Sequence, residues 1–296
     1  MVARSARMGA EAIAAWRDGL NAIAEKLARR IKAADSLLCV GLDPDFEKLP
    51  SRFREQRDPQ QSFGEWIIDQ TAEYAAAIKL NAAFYEARGS IGVAEMERTI
   101  AYIRARHPEL VTICDAKRAD IGNTNKGYVE AIFDRMGFDA VTLHPYLGRE
   151  ALEPFLNRRD KMCIVLCRTS NPGAGEFQDL DVSGRPLWLA VAERVSSAWD
   201  VDGNCALVVG ATYPDEMRRI REAAPRTVFL VPGIGAQGGD VKAVVEAGLD
   251  AQGAGLLLSA SRSILFSDDP VSVARAHRDE IRSAVKRARE ALHVAH

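Results

Sequence analysis

Val111-Thr112-Ile113-Cys114-Asp115-Ala116-Lys117-Arg118-Ala119-Asp120-Ile121 is the stretch on which the fold turns. Its first four residues read as a buried β-strand, and two acids and a lysine crowd the strand's carboxyl end. Asp115 and Lys117 are two apart, so on a strand they point to the same side. Asp120 falls where the chain should leave the strand and begin a helix. Charge at the end of a buried strand is expensive to desolvate. Such a cluster is either a salt-bridged rim or a place where chemistry is done.

The neighbouring sequence repeats the same unit. Ser36–Asp43 is a short apolar run ending in an acid and Pro44, and residues 45–62 read as a polar excursion. Helical spacing over 63–76 leads to a strand at 77–81. Helix 93–106 leads to the strand at 111–117, helix 124–136 to 139–144, and a helix near 149–158 to 162–167. Helix 186–199 leads to 205–210, helix 214–223 to 228–233, and helix 239–247 to 255–259. A closing helix runs from Pro270 to about Val294. Eight strands rich in Val, Ile, Leu and Cys, each followed by a helix, have the composition of a parallel sheet covered on both faces. The expected fold is α/β, a (β/α)8 TIM barrel spanning about 36–294 within a single domain of 1–296. A doubly wound open sheet is the runner-up, weakened because no G-x-G-x-x-G follows the first strand. Ile13, Trp16, Leu20, Ile23 and Leu27 mark an extra amphipathic helix over about 9–32, expected to cap the bottom of the barrel.

Composition narrows the function. The chain has 296 residues, 47% hydrophobic and 27% charged, with a net charge of −2. No long basic block stands out, which argues against a nucleic-acid partner. The five cysteines lie in apolar runs without a C-x-x-C pair, so they read as buried thiols in a reducing compartment, neither disulfides nor a zinc site. No secretory signal is legible, and no run reaches the ~20 apolar residues of a membrane span. A cytoplasmic protein is expected.

In such a barrel the working surface is the ring of strand C-termini. Reading only those ends gives Asp43; Lys79 and Asn81; Asp115, Lys117 and Asp120; His144; Thr169–Gly173; Gly233–Gly239; and Ser259–Ser263. Asp43 before Pro44 also fits a turn, Arg118 a solvated surface, and His144 a satisfied structural histidine. Two lysines and three acids converging on one mouth are harder to explain as a rim. Several glycines over 233–239, followed by a helix, suit a phosphate, and so does Arg262 as a fixed cation. Gln237 adds an amide donor. A small phosphorylated substrate follows.

These residues resemble the orotidine 5′-phosphate decarboxylase family. The family pattern D-x-K-x-x-D-I stands here as Asp115–Ile121, with Thr124 following. Arg168-Thr169-Ser170-Asn171-Pro172-Gly173 resembles the pyrimidine-contacting loop. Pro232–Gly239 and Ser261–Ile264 resemble the phosphate-binding segments. The likeness spans residues ~36–265, and Gly122-Asn123-Thr124 is similar to the longer bacterial subgroup. Leu80-Asn81 departs from the Pro-Gln expected there, and His144 from Asn.

The resemblance implies decarboxylation of orotidine 5′-phosphate to UMP and CO2, the last step of de novo UMP synthesis, with no cofactor and no metal. It implies Lys117, Asp115, Asp120 and Lys79 as the catalytic array. Lys117 would stabilise and protonate a C6 carbanion, with Asp115 near the substrate carboxylate. Asp43 and Lys79 would hold the ribose, Ser170 and Pro172 the base, and Gly233, Gln237 and Arg262 the phosphate. A homodimer is implied, with Asp120, Ile121 and Thr124 reaching the partner's site. Three rivals remain: a magnesium-dependent keto-sugar-phosphate decarboxylase, which carries an acid where Lys79 stands; a non-catalytic nucleotide-phosphate-binding barrel; and a Schiff-base aldolase using Lys79 or Lys117.

Overall fold

The computed structural model describes residues 21–234 and 239–294. Eight parallel strands close on themselves: β1 (Leu38–Leu42), β2 (Ala77–Asn81), β3 (Val111–Arg118), β4 (Ala140–Leu143), β5 (Met162–Arg168), β6 (Cys205–Val209), β7 (Val228–Pro232) and β8 (Leu256–Ala260), with β1 pairing both β2 and β8. Closure removes the open-sheet alternative. It also leaves no unpaired strand edge.

The period-2 alternation sorts each strand between two cores. Cys39, Val111, Ile113, Ile164, Val208 and Leu230 point inward and fill the barrel, while Leu38, Val40, Ile78, Val141, Val165 and Phe229 point outward into the helical layer. By the same alternation Lys79, Asp115 and Lys117 continue the inward rows of β2 and β3 past the apolar fill.

The extra helix α1 (Ala22–Ala34) lies across the opposite mouth. Ile23, Ala24, Leu27 and Ala28 join the barrel interior. Burying an aliphatic side chain such as Leu27 contributes about 1.5–3 kcal/mol. Its polar side is tied to the residues that precede three strands. Asn21 Nδ2 donates to Lys161 O (2.9 Å), Lys26 Nζ to Asp139 Oδ2 (2.8 Å) and Arg30 Nε to Ala75 O (2.9 Å). Helix 9–32 was expected here; its segment 9–20 lies outside the described residues.

The outer helices are α2 (Pro59–Thr71), α3 (Gly89–Arg106), α4 (Gly122–Val129), α5 (Gly148–Leu156), α6 (Leu187–Arg194), α7 (Pro214–Ala223), α8 (Val241–Gly248) and α9 (Pro270–Val294). Two differ from the sequence expectation in kind. α4 and α6 end in π-helical turns, Glu130–Arg135 and Val195–Trp199, where a continuous α-helix was read. α2 begins at Pro59, four residues early, because its cap is remote. The buried Glu95 of α3 accepts from Gln60 N (2.6 Å) and Gln61 N (3.0 Å). A cap from a distant helix leaves no local sequence signal. No helix among the described residues is long and apolar enough to cross a membrane.

Candidate active site

Asp115 is the hub of the polar mouth. Its Oδ2 accepts from Lys79 Nζ at 2.9 Å; its Oδ1 accepts from Lys117 Nζ at 2.7 Å and from Thr142 Oγ1 at 2.9 Å. Lys79 Nζ also lies 3.8 Å from Asp43 Oδ1. Four charges from the ends of three strands thus form one chain, Asp43–Lys79–Asp115–Lys117. From Lys79 outward to β3, side-chain exposure rises from 7% through 12% at Asp115 to 50% at Lys117. Lys117 faces the open mouth with its counter-charge behind it.

Burial alone would raise the Asp115 pKa, but the charges and hydrogen bonds of Lys79 and Lys117 outweigh it and hold the carboxyl well below the usual range. Burial alone would lower Lys79, and Asp115 and Asp43 outweigh it in the opposite sense, so its ammonium is held above the ordinary lysine value. Both groups are charged across the neutral range. Cys39, inside the barrel below, is pushed up to about 12, chiefly by burial, and Cys114 and Cys163 likewise. These are inert thiols, and all five cysteines are buried and free.

Lys117 is aimed by an irregularity. Cys114 pairs with Val141 and Arg118 with Leu143, so Asp115, Ala116 and Lys117 span the length that Thr142 alone spans on β4. Lys117 sits at φ 47°, the left-handed region that costs a non-glycine residue about 1–2 kcal/mol. Thr142 Oγ1 secures the bulge by accepting from Lys117 N at 2.9 Å. Thr142 was read only as part of an apolar strand. Its inward register, two residues before His144, was the signal available.

Beyond the bulge, Asp120, Ile121 and Thr124 do not join the cluster. Asp120 Oδ1 accepts from Ile121 N at 2.7 Å, and no ion pair of Asp120 occurs among the described residues. Ile121 is 65% exposed and Thr124 is exposed. Arg118 is not the solvated side chain expected from sequence: it pairs with Glu86 and lies 5.3 Å over the Tyr128 ring. Nor is His144 a satisfied structural histidine. It is half-buried, its backbone N donates to Arg118 O, and its ring has no partner among the described residues.

After β5 the chain forms a fastened loop. Gln178 Oε1 accepts from Thr169 N (2.9 Å) while its Nε2 donates to Thr169 Oγ1 (2.8 Å), closing the segment that carries Ser170 and Pro172. Ser170 packs on the end of β6. A Cβ at Gly210 would meet Ser170 N and Cβ at 2.9 Å each, so only glycine fits. Arg168, almost fully buried, stacks 4.0 Å over Tyr213 and reaches Asp179 at 3.4 Å.

Across the mouth, Gly233 leaves β7 at φ 104°, and Gly239 N returns to Gly233 O at 3.3 Å, closing the base of the glycine-rich turn. Gln237 lies outside the described residues. Asp240 caps the helix after this turn, α8, accepting from Lys242 N (2.8 Å) and Ala243 N (3.3 Å). Arg262, exposed at the end of β8, forms no ion pair among the described residues.

The comparisons with known proteins agree with this geometry. The sequence profile described as "Orotidine 5'-phosphate decarboxylase / HUMPS family" matches residues 36–277. The chain is similar to orotidine 5′-phosphate decarboxylase of Janthinobacterium sp. (strain Marseille), 42% identical over 89% of this chain and 97% of that protein. It is similar to that of Thermomicrobium roseum, 46% identical over 90% and 94%. Among solved structures it resembles Leishmania donovani OMP decarboxylase, with a TM-score of 0.80 and 40% identity over 88% of this chain and 98% of the other.

Proposed function

Because the chain belongs to the orotidine 5′-phosphate decarboxylase / HUMPS family, we propose that it converts orotidine 5′-phosphate to UMP and CO2 without a cofactor, with Lys117 as the proton donor. The observation that carries this reading is the pairing of Asp115 with both Lys79 and Lys117. The C6–carboxylate bond breaks, CO2 leaves and its bonding pair stays on C6. The Lys117 ammonium stabilises that charge at close range and then gives one N–H proton to C6. Its half-exposed position lets solvent restore the proton. Asp115 holds the ammonium in place, and Thr142 holds Asp115.

Lys79 and Asp43 would bind the ribose, Ser170 and Pro172 the base, and Gly233, Gln237 and Arg262 the phosphate. Asp120, Ile121 and Thr124 would complete the site of a second copy. Exposed Ile121, Tyr146 and Leu147 on the loops after β3 and β4 support that, as apolar surface suited to an interface. Lys79 in the middle of the acids argues against the magnesium-dependent relatives, since an ammonium supplies no oxygen ligand.

Incubating metal-free protein with orotidine 5′-phosphate and following its absorbance tests the reading. Turnover should survive a chelator. Lys117→Ala should leave a folded barrel whose kcat falls at least about 1,000-fold. Near-normal turnover would refute the proton-donor assignment, and trapping of a covalent adduct by borohydride would favour Schiff-base chemistry instead.

A further inference from the structure

We propose that Asn125 is a positioning residue that acts on the neighbouring subunit's active site through Asp120. Asn125 is fully buried in the first turns of α4. Its Oδ1 accepts from Asp120 N at 3.0 Å, and its Nδ2 donates to Asp120 O at 2.6 Å. One side-chain amide therefore grips both backbone polar groups of a single residue. The same Nδ2 donates to Ala151 O at 2.6 Å, fixing the grip to α5 of its own barrel.

Asp120 has little else to hold it. Among the described residues its side chain bonds only the next backbone N–H, and Ile121 beside it is open to solvent. It lies in the two residues, Ala119 and Asp120, between the end of β3 and Ile121, the residue that precedes α4. Such a connector explores many backbone angles unless it is tied. A carboxylate that must meet a site on another chain has to be placed within a fraction of an ångström. The Asn125 amide supplies that placement from the donor's side, before any partner arrives. A leucine, of similar size and higher helix propensity, would fill the same space without the grip, so the buried polar side chain is there for its hydrogen bonds.

The inference rests on the reading that Asp120 serves the partner's site, and hybrid dimers separate the two. Asn125→Ala should purify as a folded protein with kcat reduced tenfold or more and KM changed less. It is then paired, through two different affinity tags, with a Lys117→Ala subunit. The hybrid has one site built from an intact Lys117 and an Asp120 held by an intact Asn125. It should recover about half of wild-type activity from two impaired parents. A parallel hybrid of Asp120→Ala with Lys117→Ala is the control. Recovery in the control but not with Asn125→Ala overturns the inference and leaves the Asp120 reading standing. No recovery in the control overturns both. Full activity of the Asn125→Ala homodimer also overturns it. Should Asn125→Ala not fold, Asn125→Ser, which keeps one hydroxyl acceptor, takes its place in the same hybrid with the same outcomes.

Discussion

Thr142 uses one oxygen twice, accepting from the strained Lys117 N–H and donating to Asp115. Both the aim of the ammonium and the orientation of its counter-ion pass through that hydroxyl. Thr142→Val is nearly isosteric but removes two part-buried hydrogen bonds, a cost of about 0.5–1.5 kcal/mol for each. We expect kcat to fall about tenfold to a hundredfold with KM changed far less, and Thr142→Ser to restore most of it; equal, small effects of Val and Ser on steady-state kinetics would contradict this. The sequence made Asp115, Lys117 and Lys79 legible because alternation alone puts such residues on one side of a strand. It offered the inward register of Thr142 but not its role, because nothing in an apolar strand says that an inward hydroxyl faces a bulge. It misjudged Arg118 and His144 for the same reason. Arg118 takes its surroundings from Glu86 and Tyr128, and the His144 ring has no partner among the described residues, neither of which their own neighbours in the chain foretell.

At the scale of elements, the barrel's two ends are specialised. α1 closes the bottom with Leu27 in the interior, at the strand ends opposite the charged mouth. Leu27→Ala should cost about 2–5 kcal/mol in urea unfolding while leaving KM and kcat within about twofold, because the cavity opens at the far end from the chemistry. The opposite end is made of strand tips and short loops. Arg262 there is no member of the Asp43–Lys79–Asp115–Lys117 chain and would act through binding. Arg262→Ala should lower kcat/KM for the full nucleotide at least about tenfold, the worth of one charge-assisted bond to phosphate, and should matter little for the nucleoside lacking phosphate. Equal losses on both substrates would remove it from the phosphate site. Strand and helix order were readable from periodicity and breakers. The Asp240 cap of α8 was not read from them.

For the whole molecule, the buried charge chain sets a pH window. The Asp115 pKa is held below its unfolded value of about 3.9, so its pairing contributes fully above about pH 4 and is lost as pH falls through the folded value. The Lys79 pKa is held above its unfolded value of about 10.4, so its contribution is complete below that and is lost only at strongly alkaline pH. Between those limits neither group makes stability depend on pH. Melting temperature should therefore drop below about pH 4, and Asp115→Asn should flatten that limb; parallel curves for the two proteins from pH 5 to 2 would place the acid sensitivity elsewhere. The closed barrel was legible because eight units repeat. That one barrel's Asp120 would serve another could be read only from a likeness to a family, since no spacing within one chain encodes a second chain.

The bulge also dictates what the motif can tolerate in length. Asp115 to Lys117 bridge a gap between two fixed ladder pairs, Cys114–Val141 and Arg118–Leu143. Deleting Ala116 would pull Lys117 a place back along the strand and turn its ammonium away from the mouth, even though every catalytic residue type would still be present. Inserting a residue would push it out of reach of Thr142. The D-x-K spacing is thus a mechanical tolerance of zero, and a gapped version of it would be a different machine.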